Sequence, residues 1–366
     1  MKTKKILFVL HFPPPVHGAA MMGKYIMASN VLNDNFECCY INLGTSVEVN
    51  EIGNWGWIKL KRYFKILGLT IKRLYHDKPH LVYFTLTATG VGFYKDVAVA
   101  LLAKLFGRKI VLHFHNKGIS KRPNKWLDNA LYKMVFKKAE VILSSRYLYY
   151  DIEEYVPIER VHYCPYGIPE KVETITKAKV VDNKVQILFL SNLIKSKGVY
   201  VLLEACKLLQ DKQLSFHCTF IGSEADISEE DFQKKVSSLD VDEYVHYAGR
   251  KYDLEKVEAY SQSDIFVFPT YYSNECFPVV LIEAMQFSLP VISTFEGGIR
   301  DEVEDGKTGF LVRQKDVEAL AVKLEILIKN PQLREQMGKN GRNRYEKHFT
   351  QEVFETRFTK IMKELV

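Results

Sequence analysis

Short, continuous apolar runs recur along this chain, separated by segments of helical periodicity. Lys4 to Leu10 and Lys184 to Leu190 each open a series. Leu81-Val82-Tyr83-Phe84, Lys109 to His113, Val141-Ile142-Leu143, Phe216 to Ile221, Ile265 to Phe268 and Pro290-Val291-Ile292 continue them. Unbroken apolar strands alternating with helices predict parallel sheets covered on both faces. The pattern predicts an α/β chain of two doubly wound domains, residues 1–172 and 184–348, with a helix over 349–366. The charged, aperiodic stretch Glu170 to Asn183 is the expected boundary. Ligands of such sheets sit at the carboxyl ends of the strands, here expected in a central cleft between the domains.

Composition changes this picture little, and charge changes it more. The 366 residues are 47% apolar and 26% charged, as in an ordinary globular protein long enough for two cores. No apolar run approaches the roughly 20 residues that span a bilayer. The basic start followed by Ile6 to Leu10 imitates a signal peptide, but His11 and three prolines break the run, so a first strand is expected. Six cysteines without CxxC or metal-like spacing read as reduced thiols, in keeping with a cytoplasmic protein. Through residue 180 there are 27 Lys and Arg against 14 Asp and Glu, a net of +13, whereas the remainder carries −6. A basic first half suggests an anionic partner. Nucleic acid is excluded as the partner because the basic residues accompany no recognised module.

The candidate chemistry concentrates in Glu275-Cys276-Phe277-Pro278-Val279-Val280-Leu281-Ile282-Glu283. Two carboxylates lie eight positions apart, one in a polar loop and one within an apolar helical run. Pro278 is expected at the first position of that helix. Helical side chains tilt toward the N-terminus, so Glu283 reaches back toward the helix mouth while Glu275 approaches from the loop. The mouth offers N–H groups and partial positive charge to a phosphate. A phosphate flanked by two carboxylates that accept hydroxyl protons fits a nucleotide sugar. A dinucleotide is disfavoured: no G-x-G-x-x-G occurs. Asp305-Gly306-Lys307-Thr308-Gly309 lacks the first glycine of a phosphate loop, its place taken by Asp301. Asp240-Val241-Asp242 reads as an exposed acidic turn rather than a metal motif. His113 and His115, alternate residues at a strand end, share one face, with sugar contact, a structural role and a metal pair as alternatives.

The Glu275–Glu283 segment resembles the E-x7-E signature of glycosyltransferase family 4, retaining, nucleotide-sugar-dependent enzymes of the GT-B fold; Cys276 stands where the family commonly has glycine. Ser191-Asn192-Leu193-Ile194-Lys195-Ser196-Lys197-Gly198 resembles G-R-L-x-x-x-K-G. Lys197 matches the lysine on the donor diphosphate, Asn192 replaces an arginine, and Lys195 is the expected compensating cation. His115 matches a histidine that reaches the transferred sugar. The proline turn before Gly18 is similar to the family's first loop. Gly249 and Arg250 end a segment similar to the V-x-F-x-G strand near the base. Pro165 to Pro169 and Gly297 to Val312 extend the likeness, Asp301 replacing a glutamate. The helical tail from Pro331 resembles helices whose last member returns to the first domain. The likeness spans nearly all of the second domain and only scattered elements of the first.

This resemblance implies hexosyl transfer with retention, from a donor such as a UDP- or GDP-sugar and without a metal or other cofactor. Lys197, Glu275 and His115 are the implied catalytic residues. Glu283 is assigned the ribose hydroxyls, Glu275 a donor-sugar hydroxyl, and the N–H groups of Phe277 and Val279 nearby polar atoms, beside Pro278. A lipid-linked glycan of surface-polysaccharide synthesis is the expected acceptor. A non-catalytic nucleotide-sugar-binding subunit and a GT-B-like sugar-nucleotide epimerase are the alternatives. Residues 55–75 have an apolar face, aromatic flanks and six basic residues. They predict either a core-packed helix or an interfacial one on anionic lipid, peripheral on the inner face of the cytoplasmic membrane.

Overall fold

A computed structural model describes residues 4–14, 18–44, 57–171 and 184–366. Pro15 to His17 of the first loop, Trp55-Gly56 and residues 172–183 of the expected boundary lie outside the described residues. The chain divides into two compact units: Met1–Gly167 with Gln351–Val366, and Ile168–Thr350.

The first unit runs β1 (Lys5–Leu10), α1 (Gly18–Ala28), α2 (Asn30–Asn35), β2 (Glu37–Asn42), α3 (Trp57–His76), β3 (Leu81–Thr85), α4 (Gly90–Leu105), β4 (Lys109–His113), α5 (Trp126–Phe136), β5 (Glu140–Leu143) and β6 (Val161–Tyr163). Its six-stranded sheet has the order β2-β1-β3-β4-β5-β6, and every pairing is parallel. Ile6 to Leu10 and Leu81 to Phe84 are almost wholly buried, the condition that produces unbroken apolar strands instead of alternating ones. The apolar runs do not announce β2 and β6. Cys38, Cys39 and Tyr40 of edge strand β2 are only half-buried, so its sequence is mixed.

The second unit runs β7 (Val185–Leu190), α6 (Val199–Asp211), β8 (Phe216–Ile221), α7 (Glu229–Ser238), β9 (Val245–Tyr247), α8 (Asp253–Ser261), β10 (Ile265–Phe268), α9 (Val279–Gln286), β11 (Val291–Thr294), α10 (Ile299–Glu302), β12 (Gly309–Val312), α11 (Val317–Lys329) and α12 (Pro331–His348). Its parallel sheet has the order β12-β11-β10-β7-β8-β9. The order reverses between β7 and β10, so the loops after these two strands diverge to opposite faces and leave a crevice at their carboxyl ends. The last helix, α13 (Gln351–Leu365), belongs to the first unit, where Phe358 packs on Phe8 and Tyr83 with ring centroids 6.5 and 5.3 Å away.

Candidate active site

The loops at that crevice carry the residues singled out by sequence. β7 leads into a tight helical turn, Lys195–Lys197, closed by Gly198 at φ 92°. A side chain on Gly198 would come 2.3 Å from the carbonyl oxygen of Pro269, so only glycine lets this turn dock on the end of β10. β10 leads into the Glu275 loop. There Gly297, at φ 54°, leaves room for the Glu275 carbonyl, which a Cβ would meet at 2.3 Å. Two glycines thus set the approach of the two loops. Buried hydroxyls fasten them: Thr294 donates to the carbonyl of Thr270 at 2.6 Å, and Ser293 to that of Phe268 at 2.6 Å.

Lys197 donates to the Glu275 carboxylate, a short contact between two mostly buried side chains. The ammonium also stands 4.6 Å from the centre of the Tyr272 ring and 5.3 Å from that of Phe268. Those rings exclude water while their π-faces favour the cation. Lys195 is not part of this group. Its ammonium stands 6.0 Å from the Tyr200 ring and lines a different cavity. Lys195 and Lys197 stand two positions apart in the tight turn and point to different surroundings, so the structure does not bring Lys195, the expected compensating cation, to the Lys197–Glu275 pair. Asn192 is exposed in the loop after β7.

Helix α9 begins at Val279, one residue later than expected, and Pro278 is its N-cap, with extended backbone (φ −73°, ψ 107°). No side chain caps this terminus. Phe277 is buried against Phe349, ring centroids 6.0 Å apart. Glu283, one turn in, is 7% exposed and has partners the sequence did not reveal. Lys256 lies 2.6 Å from one carboxylate oxygen and 2.9 Å from the other. Tyr260 donates at 3.0 Å, and Lys171 stands at 3.4 Å. Burial alone would raise the Glu283 carboxyl, but the charges of Lys256 and Lys171 and the hydrogen bonds of Lys256 and Tyr260 prevail and hold it below its ordinary range.

Sequence reasoning also missed Glu302. It ends α10, is fully buried, and neither carboxyl oxygen has a hydrogen-bond partner among the described residues. Burial, then the neighbouring charges of Glu275 and Asp301, push its pKa well above the ordinary value, with Arg344 opposing. Its position on a buried turn behind the Gly297-Gly298 motif was the available signal. Gly249 and Arg250 follow β9, the guanidinium 4.9 Å from the Tyr252 ring. The Asp240–Asp242 segment is a turn, with exposed Asp242 accepting from Ser237 and Gln233.

In the first unit, His113 and His115 do lie together, ring centroids 4.4 Å apart. His113 is fully buried, 2.6 Å from the Tyr83 hydroxyl, and desolvation lowers its pKa to about 3. It is a neutral core residue. His115 is half-buried, its Nδ1 2.5 Å from the hydroxyl of Tyr166, which fixes the ring plane. Gly18 opens α1 and is exposed.

The second unit is a doubly wound parallel sheet with these loops at its strand-order reversal. Residues 171–344 match the family model of the glycosyl transferases group 1. Among curated relatives, the capsular polysaccharide biosynthesis glycosyltransferase CapM of Staphylococcus aureus is 33% identical over 178 residues, 48% of this chain and 45% of the relative. The amylovoran biosynthesis glycosyltransferase AmsK of Erwinia amylovora is 28% identical over 60% of this chain and 54% of its own. The chain thus spans about half the length of the curated relatives it matches. Among solved structures, Anabaena HepE in complex with UDP superposes with a TM-score of 0.77 at 16% identity, covering 99% of this chain and 100% of that one. A glycosyltransferase from Rickettsia africae gives 0.75 at 19%, covering 100% and 99%. The fold is GT-B.

Proposed function

We propose that the chain is a retaining glycosyltransferase of polysaccharide synthesis, moving a hexosyl group from a nucleotide sugar to a glycan or lipid-linked acceptor. The observation that carries this reading is the Lys197–Glu275 pair at the strand-order reversal, beside the uncapped N-terminus of α9. Without donor, the Lys197 charge is held by Glu275. A donor diphosphate offers the ammonium a doubly charged partner and releases Glu275 to accept from a hydroxyl of the sugar. The N–H groups at Val279 and Val280 and the dipole of α9 add to the phosphate's stabilisation. Glu283, kept ionised by Lys256 and Lys171, accepts from the ribose hydroxyls, and Lys256 stays to hold it in place. His115, oriented by Tyr166, is assigned the sugar in the first unit.

In the reaction the acceptor oxygen bonds to the anomeric carbon on the face the diphosphate leaves. The bond from that carbon to the phosphate oxygen breaks, and the departing oxygen takes the acceptor's proton. Lys197 and the helix terminus stabilise the charge that develops on that oxygen. A thermal-shift screen of UDP-, GDP-, ADP- and CMP-sugars identifies the donor, since a ligand that binds only the native state raises its melting temperature. Product analysis then tests transfer. Donor bound without turnover favours a binding subunit, and an altered sugar formed without acceptor favours an epimerase.

Attachment to an anionic membrane surface is part of the same proposal. No helix of the described residues is long and apolar enough to cross a membrane. Helix α3 buries Ile66, Thr70 and Leu74 and turns Trp57, Phe64, Ile71 and Tyr75 outward. Lys61, Lys65 and Lys72 stand exposed beside that apolar row. Aromatic side chains next to a lysine stripe suit the headgroup boundary of anionic lipid. Flotation with vesicles containing anionic lipid is expected to carry the wild type and to leave a Trp57→Ala/Phe64→Ala variant behind.

A further inference from the structure

The lysine turn after β7 serves two places. Lys197 turns to Glu275, whereas Lys195 enters a cavity of about 700 Å³ that neither of those residues lines. Its walls bring Lys195 together with Lys234 and Lys235 of α7 and Lys315 before α11, and with the rings of Tyr200 and Tyr271. One carboxylate of the lining, Glu204, is taken by Lys235 at 2.9 Å, and Lys234 is paired with Glu230 at 2.6 Å. Lys195 and Lys315 have no carboxylate partner among the described residues. Each instead stands by a tyrosine ring, Lys315 4.7 Å from the centre of Tyr271 and Lys195 6.0 Å from that of Tyr200, which also faces Lys235 at 5.8 Å.

Two features distinguish this patch. The exposed ammoniums of Lys195, Lys234 and Lys315 converge with that of Lys235 on one concavity. Lys315 is moreover held at φ 63°, a left-handed conformation that non-glycine residues seldom adopt. The volume falls within the roughly 300–1,000 Å³ of ligand sites. Unpaired ammoniums select an anion, and flat tyrosine faces flanking them offer apolar contact to the C–H face of a sugar ring.

We propose that this cavity is a second ligand site, binding an anionic saccharide whose carboxylate or phosphate meets Lys195 and Lys315 and whose ring rests on Tyr200 or Tyr271. The proposal stands apart from the transfer reaction, because it concerns side chains that face away from the Lys197–Glu275 pair. Calorimetric titration of the full chain tests it with four probes: a glucuronic acid trisaccharide, a glucose trisaccharide, glucose 6-phosphate and inorganic phosphate. The acidic trisaccharide or the sugar phosphate binds, with affinity falling as salt is raised, and the neutral trisaccharide does not. Removing each lysine, in Lys195→Ala and Lys315→Ala, weakens binding about tenfold. Saturation transfer from tyrosine ring protons to the bound sugar in the wild type gives a readout independent of how well the variants fold. Binding of the neutral trisaccharide as tightly as the acidic one, unchanged affinity in both variants, or inorganic phosphate binding as tightly as the sugar phosphate would each overturn the proposal, as would no binding by either anionic sugar.

Discussion

Glu283 and Glu302 are both buried glutamates of the second unit, and they are opposites. Glu283 meets two lysines and a tyrosine, and its pKa is held down; the Glu302 carboxyl meets no hydrogen-bond partner among the described residues, and its pKa is driven up. Burial is common to both, so it is the partners that decide the charge. Glu275 also has a lysine partner, Lys197. Of these carboxylates, the two with ion pairs are the ones a lysine from another segment reaches.

The sharpest way to break the comparison is to remove Lys197. Lys197→Ala leaves Glu275 without its cation and, under the proposed function, removes the positive charge that stabilises the departing phosphate. The expected loss of transfer rate is about 100- to 1,000-fold, near 3–4 kcal/mol in the barrier, measured with the identified donor. Wild-type turnover in this variant would refute the site assignment.

Next comes Lys256→Ala, which moves Glu283 partway toward the situation of Glu302. Lys171 and Tyr260 remain, and Lys256 is partly exposed, so a loss of about 2 kcal/mol is expected from urea unfolding at pH 7. The sign with pH follows from the lowered folded pKa. The stability Glu283 contributes is complete above its unfolded value of 4.5 and disappears as pH falls through the folded one. The variant's deficit must therefore shrink in acid.

Glu302→Leu should work in the other direction, stabilising by about 1–2 kcal/mol at neutral pH because it removes an unpartnered buried carboxyl. Above pH 4.5 the unfolded chain releases the proton that folded Glu302 keeps, so wild-type stability declines as pH rises toward the folded pKa. That decline should be missing in the variant. An unchanged slope would mean that Glu302 has a partner in solution.

The smallest effect separates the two histidines of the first unit. Burial holds His113 near pKa 3, so its ring should not titrate in an NMR series from pH 5 to 8. Here too the sign is set: below pH 6.5 the unfolded chain gains a proton that the folded chain refuses. This one residue should therefore cost about 1 kcal/mol of stability between pH 6.5 and 5.5.

The α/β class and most strands were legible because buried parallel strands are apolar on both faces, a local property that a few residues display. Strand β2 was hidden because an edge strand is only half covered. In the site, Glu275, Glu283 and Lys197 were legible through spacing and resemblance, as was the adjacency of His113 and His115 through alternation. Lys256, Lys171 and Tyr260 were not, because each comes from another element and touches Glu283 only after the sheet has assembled. Sequence adjacency even misled for Lys195, which a tight turn sends away from Lys197.

By itself, then, the sequence determined the kinds of element, their order, and which loops carry charge, since those depend on neighbours along the chain. Only the tertiary structure decided which buried charges are paired. Pairing depends on distances of a few ångströms between segments far apart in sequence, and in a low-dielectric interior those distances separate Glu283, whose pKa is lowered, from Glu302, whose pKa is raised.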